Sequence, residues 1–337
     1  MNRAWELALQ GFGKTSPNPM VGAVLVKSGR IIAEGYHHHC GGDHAEVDAL
    51  KKAGSKARGG CLYVTLEPCG HTGRTPPCTD AIIKAGIKKV VVGAVDPNKL
   101  NHGKSLKYLK QHGIAVEHGL LAEELTRMNE AFNCWITRHR PFVTAKIAQT
   151  LDGKIAMTTG ASKWITSSFA RQYARRLRYG FDAIMVGINT VLQDNPQLTP
   201  TPAKRIKKII LDTQGKLSKR AKLWQGANVE DVLVFTRQNA PLVGGRVDLK
   251  WVLNDLGQRG ISSVLIEGGG SLVGNALQHK LVDKMMVYTA PKIMGEGISS
   301  VRGLQFTGMD QIICLKRMSI DKIGDDVLIQ GYPQYRK

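Results

Sequence analysis

Two short strings constrain this chain more than anything else in it: His44-Ala45-Glu46 and, about two dozen residues later, Pro68-Cys69 with Cys78 beyond. They supply one imidazole, two thiolates and a free carboxylate, the equipment of a zinc-dependent hydrolase that removes an amine from a nucleobase-like ring. The expected fold is therefore one that gathers residues 44, 46, 69 and 78 around a single ion.

The chemistry accounts for each residue type. Three protein ligands leave the fourth tetrahedral position of Zn²⁺ open for water, and the metal lowers that water's pKa from about 15.7 toward neutrality. A carboxylate that is not a ligand must then carry a proton to the ring nitrogen and on to the departing ammonia, and Glu46 sits two residues from His44 for that task. A structural zinc site would normally take a fourth protein ligand and would leave Glu46 idle. Glu46, Val47, Leu50 and Ala53 recur at helical spacing, while Cys61 to Leu66 reads as a strand running into Glu67-Pro68-Cys69. The spacing predicts His44 and Glu46 in the first turn of a helix. The common deaminase signature has two residues between its cysteines; here eight separate Cys69 from Cys78.

At this point a resemblance emerges. Ser16-Pro17-Asn18-Pro19 with Val21-Gly22, His44-Ala45-Glu46, and the run from Pro68-Cys69-Gly70-His71-Thr72 through Gly73-Arg74-Thr75-Pro76-Pro77 to Cys78 resemble the bifunctional riboflavin-biosynthesis deaminase and reductase family. In that family the long loop between the cysteines is normal. The resemblance implies zinc on His44, Cys69 and Cys78, proton transfer by Glu46, and a cytidine-deaminase-like α/β/α sandwich. His37 matches a family position, whereas His38, His39 and Cys40 read as a solvated loop, because neighbours on an extended segment point alternately and rarely share one ion.

The bulk numbers fit two domains. At 337 residues with 42% apolar side chains there is ample material for buried cores. The opening Met1-Asn2-Arg3-Ala4-Trp5 lacks a basic segment followed by an apolar stretch, and no run approaches the roughly 18 to 20 apolar residues of a membrane span. A soluble, cytoplasmic protein with no membrane partner is expected. Cys40, Cys61, Cys134 and Cys314 are scattered without a disulfide-like framework, and a reducing compartment suits metal-bound thiolates.

The net charge of +20 motivates an alternative, a nucleic-acid-binding deaminase whose second half is an RNA module. Residues 1 to 140 carry 19 basic and 12 acidic side chains and the remainder 28 and 15, so the excess is spread through both halves with no basic tail. Arg171, Arg175, Arg176 and Arg178, and Lys204, Arg205, Lys207 and Lys208, form short groups that read as solvated surface. The proline-rich cysteine loop also stands against the alternative, and no nucleic-acid partner is expected.

Along the first half, Trp5, Ala8, Leu9 and Phe12 make a helical face, and Val21 to Val26 and Ile31 to Tyr36 flank a hairpin turn. The metal helix, the Cys61 strand, a helix from Cys78 and a strand from Lys89 to Ala94 follow. One long amphipathic segment, Leu120 to Thr137, ends at Arg138-His139-Arg140-Pro141, which places the domain boundary between 140 and 141. The second half offers strands at Phe142 to Ala148, Asp182 to Val186, Lys208 to Leu211, Val232 to Thr236, Val264 to Ile266 and Met285 to Tyr288, with helices between several of them. That order predicts a mainly parallel sheet with helical crossovers. Residues 1–140 are expected to be a zinc-dependent pyrimidine deaminase domain and 141–337 an NADPH-dependent reductase domain.

Val264-Leu265-Ile266-Glu267, then Gly268-Gly269-Gly270, then Ser271 to Leu277 reads as strand, glycine turn, helix, in which glycines permit close backbone approach and the helix start offers N–H groups to a phosphate. This is not the usual dinucleotide fingerprint. Further strings, Lys146 to Lys154, Ser162 to Thr166, Asp182 to Gly187 and Asp194 to Thr199, resemble the family's reductase domain in order. The resemblance implies a dihydrofolate-reductase-like α/β fold, NADPH as hydride donor, a small-molecule pyrimidine ribotide as substrate, and a homo-oligomer. It assigns the cofactor to Ala148, Trp164, Thr190, Asp194, Thr213 and the turn Gly269, Gly270, Ser271, Leu272, Val273, Gly274 and Asn275. It assigns the substrate to Lys146, Ser162, Arg178, Leu198 and Glu267. An arginine commonly stands three residues after the leucine matching Leu198; here that residue is Thr201, with Arg205 the candidate substitute, while Arg171 and Arg175 read as an exposed face.

Overall fold

Ser28 and Gly29 both take positive φ, 48° and 73°, and turn the strand Gly22–Lys27 back onto Arg30–Tyr36. Such a two-residue turn matches the right-handed twist of paired strands. The computed structural model describes residues 1–72 and 76–335; Gly73, Arg74 and Thr75 of the intercysteine loop, and Arg336 and Lys337, lie outside the described residues. The chain divides into two units, Met1–His139 and Arg140–Lys337.

In the first unit the hairpin edges a five-stranded sheet, in the order Arg30–Tyr36, Gly22–Lys27, Cys61–Leu66, Lys89–Ala94, Ala115–His118. The last three strands run parallel, so their C-terminal ends open together on one side. Helices Ala45–Ala53, Cys78–Lys84 and Lys104–Gln111 bury Ala49, Leu50, Ile82 and Leu109 against Leu25, Leu62 and Val90 on one face. Asn2–Leu9 and Ala122–Met128 cover the other face, packing Ala4 and Leu7 on Val24, and Leu125 on Leu66 and Ala94. The result is a layered α/β/α sandwich.

Two expectations need correction here. The first helix ends at Leu9 and buries Ala4, Leu7 and Ala8, which leaves Leu9 and Phe12 47% and 43% exposed. The segment Leu120 to Thr137 is not one helix but two, Ala122–Met128 and Glu130–Arg138. Asn129 interrupts them because its side chain clamps a distant backbone, accepting from Met20 N at 2.8 Å and donating to Met20 O at 2.9 Å.

The second unit is built on an eight-stranded sheet in the order Val232–Phe235, Lys207–Leu211, Ala183–Gly187, Ser263–Ile266, Phe142–Thr150, Lys284–Ala290, Asp326–Gln334, Cys314–Ile323. The first six are parallel, as the alternation of strand and helix patterns predicts. The last two are antiparallel, and the patterning did not announce them. Helices Leu249–Gln258 and Gly270–Gln278 bury Val252, Leu256, Val273 and Leu277 against Val143, Ala145 and Val264. Helix Ser168–Leu177 packs Ala170 and Ala174 with Met286, Tyr288 and Leu328 in a separate cluster. Among the described residues no helix is long and apolar enough to cross a membrane.

Candidate active sites

In the first unit two helix starts and one strand end converge. His44 is the residue before the helix Ala45–Ala53, in extended geometry, and Glu46 lies in that helix's first turn. Cys69 follows the strand Cys61–Leu66, and Cys78 opens the helix Cys78–Lys84. His44 Nδ1 stands 3.1 Å from Cys78 Sγ and 3.5 Å from Cys69 Sγ, with the two sulfurs 3.4 Å apart. Bonds of about 2.0 Å to nitrogen and 2.3 Å to sulfur in a tetrahedron place ligand atoms roughly 3.5 to 3.8 Å apart, so the donor set suits zinc. Glu46 is 3% exposed, and burial pushes its carboxyl up to about 7. Hydrogen bonding to Cys78, together with His44, pulls the Cys69 thiol down; the same bond and burial push Cys78 up.

Around this trio the backbone is tightly held. His37 is buried and packs edge-on to His44 with ring centroids 5.4 Å apart. Its Nδ1 donates to the Asp43 carbonyl at 2.9 Å, which leaves Nε2 to accept from Asn18 Nδ2 at 3.1 Å; burial lowers its pKa. His38 and His39 are exposed, in line with the loop reading. A set of residues that the sequence did not single out supports Cys69. Asn101 donates to the Pro68 carbonyl and to Asp96 at 3.2 Å and accepts from Gly70 N at 3.0 Å and from Ser105. Glu67 accepts from Asp96 N and Gly103 N. The available signal was position alone: Asp96 and Asn101 follow the C-terminal end of a parallel strand.

The second unit holds an open cleft of ≈ 1310 Å³ at the C-terminal ends of its central strands. Lys146, Ala148, Ser162, Trp164, Arg178, Thr190, Asp194, Leu198, Thr213, Glu267, Gly269, Gly270, Ser271, Leu272 and Asn275 all line it. Val273 and Gly274 do not. Val273 is fully buried in the core, and a methyl group at Gly274 would overlap the Arg302 carbonyl. Gly270 likewise meets Ser299, so these two glycines admit the chain's own backbone, and only Gly269 has open space where a Cβ would project. Leu198 packs its side chain into the core, so its backbone is what it offers the cleft. Ser162 Oγ lies 3.3 Å from Asp194 Oδ1. On the cleft floor, Arg178 grips Glu267 through Nε and Nη2 at 2.7 and 2.9 Å, with Lys146 Nζ at 3.8 Å. Two further corrections arise here. Arg171, expected on an exposed face, is half-buried and stacks on Trp164 at the cleft, whereas Arg175 is exposed as expected and borders the cleft too; Arg205 does not reach it, and pairs with Asp231 at 2.7 Å and with Glu230.

A His/Cys/Cys cluster beside a buried glutamate on an α/β/α sandwich, in one chain with a separate parallel-sheet cleft, defines a two-headed enzyme of the zinc-deaminase class. The comparisons agree. Residues 1–94 match the model of the cytidine and deoxycytidylate deaminase zinc-binding region, and residues 141–329 that of the RibD C-terminal domain. The chain is 42% identical to the riboflavin biosynthesis protein RibD of Aquifex aeolicus, over 98% of this chain and 96% of that one. It is 38% identical to RibD of Escherichia coli strain K12, over 98% and 97%. Among solved structures, Acinetobacter baumannii RibD superposes with a TM-score of 0.90 at 38% identity, covering 99% of this chain and 97% of that one. The diaminohydroxyphosphoribosylaminopyrimidine deaminase/5-amino-6-(5-phosphoribosylamino)uracil reductase of Thermotoga maritima reaches 0.88 at 40%, with the same coverage. The chain belongs to the RibD family, the bifunctional deaminases and reductases of riboflavin biosynthesis, whose cofactors are zinc and NADPH.

Proposed function

We propose that the first unit hydrolyses the 2-amino group of 2,5-diamino-6-(5-phosphoribosylamino)pyrimidin-4(3H)-one. The second unit then reduces the ribosyl chain of the resulting 5-amino-6-(5-phosphoribosylamino)uracil to ribityl. The observation that carries the first step is the convergence of His44 Nδ1, Cys69 Sγ and Cys78 Sγ within 4.8 Å of one another beside the buried Glu46. These three residues hold zinc, which when bound supplies the Lewis acidity that makes water nucleophilic near neutral pH. Glu46 takes one proton from the attacking water and passes it to the ring nitrogen, then carries that water's second proton to the departing amino group, so that ammonia leaves and the oxygen remains as the ring carbonyl. His37, fixed by Asn18 and Asp43, walls the site.

In the second unit Ala148, Trp164, Thr190, Asp194, Thr213 and the turn from Gly269 to Asn275 form the NADPH side, with Val273 and Gly274 acting through packing. Bound there, NADPH would supply the hydride for reduction at ribose C1. Lys146, Ser162, Arg178, Leu198 and Glu267 form the substrate side; the Lys146–Glu267 pair offers a donor and an acceptor to ribose hydroxyls, and Arg178 holds Glu267 in place.

The test incubates zinc-loaded protein with the diaminopyrimidine ribotide, with and without NADPH, and identifies products by mass spectrometry. Deaminated ribosyl product without NADPH and ribityl product with it are expected. Glu46→Gln should slow ammonia release by about 10²- to 10⁴-fold and leave reduction of supplied deaminated intermediate intact. Loss of both activities would argue against separate sites. A homo-oligomer in the cytoplasm completes the reading: the edge strand Cys314–Ile323 leaves Met318 and Ile320 55% and 66% exposed, a surface suited to self-association. Light scattering on the purified protein tests the assembly.

A further inference from the structure

A ribotide brings a phosphate into the second cleft, so this inference rests on the proposed reduction. A phosphate needs a cation whose donors are not already committed. Arg178 uses Nε and Nη2 on Glu267 and Nη1 on the Thr199 carbonyl at 3.0 Å. Arg171 stacks on the Trp164 ring at 4.2 Å and donates to the Thr166 carbonyl at 2.5 Å. Lys146 is set against Glu267 at 3.8 Å, and Arg205 is turned away into its own acidic pair.

Arg175 differs from all of these; Lys163, Lys216, Lys222, Arg246 and Arg302 also border the cleft without a side-chain partner among the described residues, but of these six cations Arg175 alone is hydrogen-bonded to the loop Leu198 to Thr201. It stands on the helix Ser168–Leu177 between Arg171 and Arg178, is exposed, and borders the cleft. Its side chain has no hydrogen-bond or ion-pair partner among the described residues. Its backbone carbonyl accepts from Thr201 N at 3.1 Å, which ties this turn of helix to the loop Leu198 to Thr201 on the cleft wall. Its charge also reaches the cleft floor, where it helps to hold the Glu267 carboxyl down. We propose that Arg175 binds the phosphate of the reductase substrate and so makes this unit specific for the phosphorylated ribosyl compound.

The test is reduction of the deaminated ribotide and of its dephosphorylated ribosyl counterpart by wild type, Arg175→Gln and Arg205→Gln, with NADPH affinity measured by fluorescence and folding by thermal melting. In Arg175→Gln, KM for the ribotide should rise roughly ten- to a hundredfold, the loss of one charge-assisted contact. The dephosphorylated substrate, NADPH binding and melting temperature should stay as in wild type, and Arg205→Gln should leave KM for the ribotide unchanged. Three outcomes would overturn the proposal: equal loss on both substrates, loss of NADPH affinity, or transfer of the KM effect to Arg205→Gln. A wild-type enzyme that reduces the ribotide no better than its dephosphorylated form would also overturn it. Failure of wild type to reduce the ribotide at all would instead strike the functional reading on which it rests.

Discussion

Arg178 and Glu267 meet through two parallel hydrogen bonds at 2.7 and 2.9 Å, with side chains only 16% and 10% exposed. A fork-to-fork pair of this kind fixes both groups in orientation as well as distance. It joins the helix-to-strand corner after Leu177 to the end of the strand Ser263–Ile266, so the cleft floor and the unit's stability depend on the same contact.

The pair makes stability depend on pH. Burial works against ionisation of Glu267, but Arg178 and Lys146 outweigh it and hold the carboxyl at about 2. Because that lies below the unfolded value of about 4.3, the stabilisation is complete above the unfolded value and fades as pH falls toward 2. Relative to Glu267→Gln, wild type should lose on the order of 3 kcal/mol across this window. Melting curves of the two proteins at stepped pH check this, and parallel pH slopes would refute it.

Asn101 brackets Cys69, bonding the carbonyl before it and the amide after it while itself 1% exposed. Asn101→Ala strips partners from several buried groups, at a cost of about 2 kcal/mol. Support of a ligand is worth about 10- to 100-fold in metal affinity, so zinc should pass to a coloured chelator correspondingly faster. Zinc release at the wild-type rate from a folded variant would show that the bracket does not position the ligand.

Metal removal should separate the two chemistries. Cys69→Ser, or dialysis against a chelator, should drop bound zinc below one per chain by elemental analysis and bring deamination to background. Oxidation of NADPH with the deaminated ribotide should persist, since the cleft shares no residue with the cysteine site. Parallel loss of reduction would contradict this independence.

Neighbouring glycines should respond differently to a methyl group. Gly274→Ala forces the Arg302 backbone outward and should destabilise the second unit by about 2 to 3 kcal/mol, whereas Gly269→Ala projects into open space and should cost under about 1 kcal/mol. Thermal melting compares them; equal losses would mean that the helix start, not the close approach at Gly274, sets the cost.

Much of the architecture was legible because its causes are local. Alternation and the Ser28-Gly29 turn announce the first hairpin, and the helical spacing of Glu46, Leu50 and Ala53 announces the metal helix. The break at Asn129 was not legible, because its cause is Met20, 109 residues away. The final strands were equally hidden: Cys314–Ile323 is exposed along almost its whole length and has no buried face to print an alternation.

By itself the sequence pointed to the deaminase chemistry, since a metal accepts few donor types and a carboxylate suited to carry protons stands two residues from His44. Only the tertiary structure decided which charges are free to act. Arg175 and Arg205 are indistinguishable as letters. Folding sets Arg205 against Asp231, 26 residues away, and leaves Arg175 at the cleft, because ion pairing depends on distances of a few ångströms that the chain's order does not record.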